Sequence, residues 1–126
     1  RPTCAPHYFR IAHQENFNFT ADGLDAKTAG CLCGRSFCFI SSTGKVYPCG
    51  FLEKECGDIR KDNFVNIWRE SVIFNNLRNL TQYKGKCGEC EYLKICGGCR
   101  ARAYVGTGDY LEEEPDCVYQ PLSVKS

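Results

Sequence analysis

Methionine is absent from all 126 residues, and the chain starts on Arg1-Pro-Thr-Cys, so it reads as a piece of a longer protein. An excess of either charge is missing too. Sixteen Lys and Arg against fifteen Asp and Glu leave a formal charge of +1, which gives no footprint for nucleic acid or an anionic membrane surface. No apolar run approaches the roughly 20 residues that span a bilayer. A basic segment followed by an apolar one, the grammar of a secretion signal, is also lacking. A cytoplasmic location is therefore expected. No internal repeat or low-complexity tract is present. The two histidines, His7 and His13, stand singly near the N-terminal edge and read as ordinary polar residues.

Cysteine is what the chain has in quantity, eleven residues of it. Four form the run Cys87-Gly-Glu-Cys90, five residues, Cys96-Gly-Gly-Cys99, and Cys117 follows. With twelve glycines and long turn-rich stretches, the apolar core must be small. Ordering costs roughly 1.5 kcal/mol per residue against roughly 25 cal/mol per Å² of buried apolar surface, so a small domain needs staples. An odd number of thiols cannot all pair internally, and nothing marks the chain for an oxidising compartment. Cys-x-x-Cys turns aim both sulfurs at one point and suit chelation. Metal is favoured over disulfides.

Residues 1–30 mix Phe, Tyr, His and Asn without a long periodic stretch and read as a connector. Arg35 to Leu52 holds two β-prone runs around a polar turn containing Gly44, the pattern of a hairpin. A turn centred on Thr43 and Gly44 sets Cys38 opposite Cys49, and Pro48 argues for an edge strand. Asp62 or Asn63 can cap a helix on which Phe64, Ile67, Trp68, Phe74, Leu77 and Leu80 recur at three- and four-residue steps, with Ser71 interrupting it. Trp68 and Phe74 are expected in the core. Lys84–Gly98 reads as a cysteine loop, Arg100–Val105 as a short helix ending at Gly106 or Gly108, and Glu112–Glu114 as a solvated turn.

Three closely spaced thiolates plus a remote fourth is a common way of wrapping a cubane iron–sulfur cluster, and Cys87, Cys90 and Cys96 with Cys117 fit it. Cys99, Cys31, Cys33, Cys38, Cys49, Cys4 and Cys56 then remain, which implies a second site. A single zinc ion on the two Cys-x-x-Cys pairs is the competing reading. Five intervening residues are few for a zinc ribbon, and that reading strands Cys117 and Cys49.

The pattern Cys31, Gly44-x4-Cys49, Cys87-x2-Cys90-x5-Cys96 and Cys117 resembles the SPASM domain, the C-terminal extension of many radical S-adenosylmethionine (SAM) enzymes. One departure is Cys96-x2-Cys99, where the family pattern has x3. Thr3-Cys-Ala-Pro-His7, Phe37 to Leu52, Gly57-Asp-Ile-Arg60 and Cys96-Gly-Gly-Cys-Arg-Ala-Arg-Ala-Tyr104 look like the tetrapyrrole-modifying members, the heme-biosynthesis group AhbC, AhbD and NirJ. Mycofactocin and quinone-cofactor maturases share the Cys-Gly-Gly-Cys-Arg core and match less well elsewhere.

The resemblance implies a small, irregular α+β fold, a β-hairpin plus short helices organised around cysteine-ligated iron–sulfur clusters. Residues 1–30 would be a connector from a missing N-terminal radical SAM barrel, 31–121 the cluster domain and 122–126 a tail. It implies two [4Fe-4S] clusters, one on Cys87, Cys90, Cys96 and Cys117. The second would take Cys31, Cys49 and Cys99, with Cys4, Cys33 or Cys38 as the fourth ligand. Zinc is the alternative metal. The implied partners are the barrel itself, an electron donor and an iron-containing tetrapyrrole, with no nucleic acid and no membrane. Arg100, Arg102 and Arg35 would either bind the substrate's carboxylates or surround a cluster. SAM would bind only in the missing part, because no Cys-x3-Cys-x2-Cys loop occurs here. The larger protein is expected to be an enzyme, and this fragment alone inactive.

Overall fold

The computed structural model describes residues 5–17 and 30–123. Among them are five α-helices and one three-stranded antiparallel sheet, an irregular α+β fold. The chain divides into two units, one of residues 1–31 and 83–126 and the other of residues 32–82.

The second unit is built on the sheet. Strands β1 (Phe39–Ile40), β2 (Lys45–Tyr47) and β3 (Gly57–Asp58) lie in the order β1-β2-β3. Phe39 pairs with Tyr47 and Ile40 with Val46, one step from the register that faces Cys38 with Cys49. The turn explains the step. Ser41 N–H donates to Lys45 O, so three residues, Ser42 to Gly44, make the loop rather than two. Pro48 does not mark an edge either. It follows β2, which is the central strand, so its missing N–H removes no ladder bond. Its carbonyl instead accepts from Gly34 N–H.

Helices α2 (Phe64–Glu70) and α3 (Val72–Arg78) follow. Asn63 Oδ1 caps α2 by accepting from Val65 N–H at 2.8 Å, and Ser71 separates the two helices as expected. Val46, Ile67 and Phe74 form the core of this unit, with Cys38, Cys56 and Trp68 packed on it. Arg78 closes the unit. Its Nε donates to Gly34 O, its Nη1 to Trp68 O, and its guanidinium lies 4.3 Å from the Trp68 ring centre.

In the first unit, residues read as connector form helix α1 (His7–Gln14), which follows Pro6 and buries Phe9 and Ala12. His13 packs edge-on against Tyr92, which packs against Tyr119 in turn. The Lys84–Gly98 segment is not wholly loop. Gly85–Glu89 makes a short helix, α4, despite two glycines. Helix α5 (Arg100–Thr107) stops at Gly108, whose φ of 82° is the left-handed cap that glycine adopts without a Cβ penalty. No helix among the described residues is long and apolar enough to cross a membrane.

Candidate metal centre

One cavity in the first unit is lined by Cys87, Cys90, Cys96 and Cys117 together with His7, Arg10 and Lys86. Local structure delivers each thiol differently. Cys87 sits within α4, and Cys90 caps that helix in extended conformation. Turns closed by Leu93 N–H to Cys90 O and Cys96 N–H to Tyr92 O bring Cys96 back. Cys117 follows a turn in which its own N–H bonds to Glu114 O, and Lys86 Nζ holds its carbonyl at 2.9 Å.

The sulfurs face donors. Cys87 Sγ accepts from Glu114 N–H and from Arg100 Nη2, each at 3.4 Å. Cys90 Sγ accepts from Tyr92 N–H at 3.4 Å. Burial pushes the Cys96 thiol up to about 11, and the Gly98 amide pulls it back in part. Burial raises Cys90 and Cys99 as well. Thiols so buried keep their protons at neutral pH unless a cation replaces them.

Cys31 lies in this unit near enough to Cys99 for its charge to raise the Cys99 thiol, and Cys31 N–H donates to Cys96 O. Cys49, Cys33 and Cys38 belong to the second unit. Cys49 Sγ accepts from Phe51 N–H at 3.5 Å and lines a groove with Phe39, Tyr47 and Leu52. Cys33 is 5% exposed and bridges to Phe37. Cys38 packs on the core beside Cys56, and burial raises its pKa. Cys4 lies outside the described residues.

Arg100 is 1% exposed and buried beside Cys87. Arg102 Nε pairs with Glu114 Oε1 at 2.7 Å. Arg35 lies half-buried in the 32–36 turn of the second unit. The acidic run is not a solvated turn, because Glu114 is 1% exposed. The signal for this was Arg102 in α5, which supplies the charge a buried carboxylate needs. His7, Arg10 and Lys86 carry no motif, and only the packing of α1 and α4 places them on the cavity.

Among the described residues no group of three or more His, Cys, Asp or Glu side chains converges as a single metal ion requires. Four thiolates on one zinc stand about 3.8 Å apart for a Zn–S bond of about 2.3 Å. A cubane spreads its thiolates over four irons.

The family model for the SPASM iron–sulfur cluster-binding domain matches residues 31–100. The chain is 53% identical over 127 residues to the AdoMet-dependent heme synthase of Methanosarcina barkeri, covering 96% of this chain and 36% of that protein. The enzyme of the same name from Nitratidesulfovibrio vulgaris is 54% identical over 127 residues, covering 96% and 35%. A PqqA peptide cyclase of Bradyrhizobium diazoefficiens is 38% identical over 95 residues, covering 71% and 25%. The chain thus spans about a third of the length of the heme synthases it matches.

Proposed function

The chain belongs to the SPASM family of iron–sulfur cluster-binding domains, and from that premise we propose that it is the auxiliary-cluster portion of a radical SAM enzyme acting on an iron-containing tetrapyrrole. The observation that carries the reading is the cavity shared by Cys87, Cys90, Cys96 and Cys117. Its donor set, soft thiols met by N–H groups, fits an iron–sulfur cluster.

In this reading Cys87, Cys90, Cys96 and Cys117 hold cluster one. Cys31, Cys49 and Cys99 hold cluster two with Cys4 or Cys33. Cys38, turned into the apolar core with Cys56, is the weakest of the three candidates for the fourth place. When bound, the clusters supply one-electron transfer. The chain's own residues keep the thiols buried, orient their sulfurs and present N–H donors to them. The substrate class rests on the higher identity to heme synthases than to a peptide cyclase. The share of those relatives that this chain leaves uncovered supports a partner segment carrying the SAM-binding cluster.

Anaerobic reconstitution tests the reading. The chain should take up about eight irons and as many sulfides, enough for two cubanes, with a broad absorption band in the visible. Stoichiometric zinc and no iron would reject it. The chain alone should form no 5′-deoxyadenosine from SAM and dithionite, and sustained production would overturn the division of labour.

A further inference from the structure

Arg100 is a buried cation whose charge reaches the Asp109 carboxylate without an ion pair. Its Nη1 donates to Tyr110 O at 3.0 Å and to Glu112 O at 2.7 Å, and its guanidinium lies 4.7 Å from the Tyr83 ring centre. No carboxylate among the described residues forms an ion pair with it, whereas its neighbour Arg102 is matched by Glu114. Carbonyl dipoles and an aromatic face compensate a buried guanidinium only in part. The remaining partner is the sulfur of Cys87, 3.4 Å from Nη2.

Gly98 is what allows this approach. A Cβ there would stand 2.7 Å from Arg100 Nη2, 2.9 Å from Cys87 Sγ and 2.8 Å from the Glu114 Cβ. The φ of 65° at Gly98 also disfavours any other residue. Arg100, Glu114 and Cys87 therefore meet over a position that must lack a side chain.

We infer that Arg100 is the built-in counter-ion of cluster one, held by Tyr110, Glu112 and Tyr83 so that it faces the Cys87 corner, and that it raises the cluster's reduction potential. The inference rests on the ligand set proposed above. Its sign follows from charge. A cubane with a +2 core and four thiolates carries −2 and becomes −3 when it gains an electron, so a fixed neighbouring cation stabilises the reduced state more. The guanidinium is committed to the cluster and is not offered to a substrate carboxylate.

An EPR-monitored redox titration of the reconstituted chain tests this. Arg100→Gln should move the midpoint of one cluster to lower potential and leave the other unmoved. Arg100→Lys should recover part of the shift, because it keeps the charge but its single nitrogen cannot stand where both Nη1 and Nη2 do. Full iron content with both midpoints unmoved in Arg100→Gln overturns the inference. A second measurement serves if Arg100→Gln assembles no cluster. Reduced wild-type chain labelled with 15N-arginine should show a 15N hyperfine coupling on one cluster that disappears in Arg100→Lys, and a wild type without that coupling overturns the inference. Wild-type chain that assembles no cluster on Cys87 rejects the ligand set instead, together with what rests on it.

Discussion

Cys87 in the first unit and Cys56 in the second are both half-buried thiols, set in different surroundings. Cys87 Sγ accepts, from a guanidinium and from the Glu114 amide. Cys56 donates its S–H to Lys54 O at 3.6 Å and packs against Val46, Ile67 and Phe74, and burial pushes its pKa up to about 11, with a hydrogen bond from the Ser71 side chain pulling it back in part. Donors around a sulfur suit a metal-bound thiolate, whereas packing on an apolar core suits a structural thiol. Cys49 shows that the division follows environment rather than unit. It belongs to the second unit but accepts from the amide two residues on, as Cys90 does.

The comparison is most sharply broken by substitution. Cys87→Ala should remove one cluster's iron, about half of the total, while Cys56→Ala should leave iron unchanged and cost about 1 kcal/mol of stability in denaturant titration. Equal iron loss in both would erase the distinction. Phe74→Ala, at a fully buried position, should cost about 3–5 kcal/mol in the same titration. Removal of the α2 cap by Asn63→Ala should cost about 1 kcal/mol.

Much of the second unit was legible because its residues obey local rules. Apolar spacing gave the helices from Phe64 onward, Ser71 gave their break and Asn63 their start. The hairpin was visible but its register was not, since a loop of two residues and one of three leave the same composition around Gly44. In the first unit spacing alone pointed to Cys87, Cys90, Cys96 and Cys117, which line one cavity. Helix α1 was not, because its packing on Tyr92 and Tyr119 is remote in sequence. The burial of Glu114 was hidden in a run of three acidic residues, and only its partner Arg102, twelve residues earlier, accounts for it.

The smallest effect concerns pH. The Arg60 amide, with help from Lys45, holds the Asp58 carboxyl below the ordinary carboxylate range. A depressed carboxylate stabilises the fold at pH values above its unfolded pKa, about 3.9, and the contribution fades as pH falls through the lower folded value. Asp58→Asn should remove that part of the acid dependence below about pH 4. Unfolding curves recorded by Trp68 fluorescence would report it from the second unit.

Cys117 tests the central claim most directly, because it lies beyond the residues 31–100 that the family model matches and joins the other three thiols only through the cavity they line. Native mass spectrometry of the anaerobically reconstituted chain should show two [4Fe-4S] increments in the wild type. In Cys117→Ala one complete cluster should be missing, with the other retained. Two intact clusters in Cys117→Ala, or zinc in place of both in the wild type, would contradict the assignment of these four cysteines to one cluster.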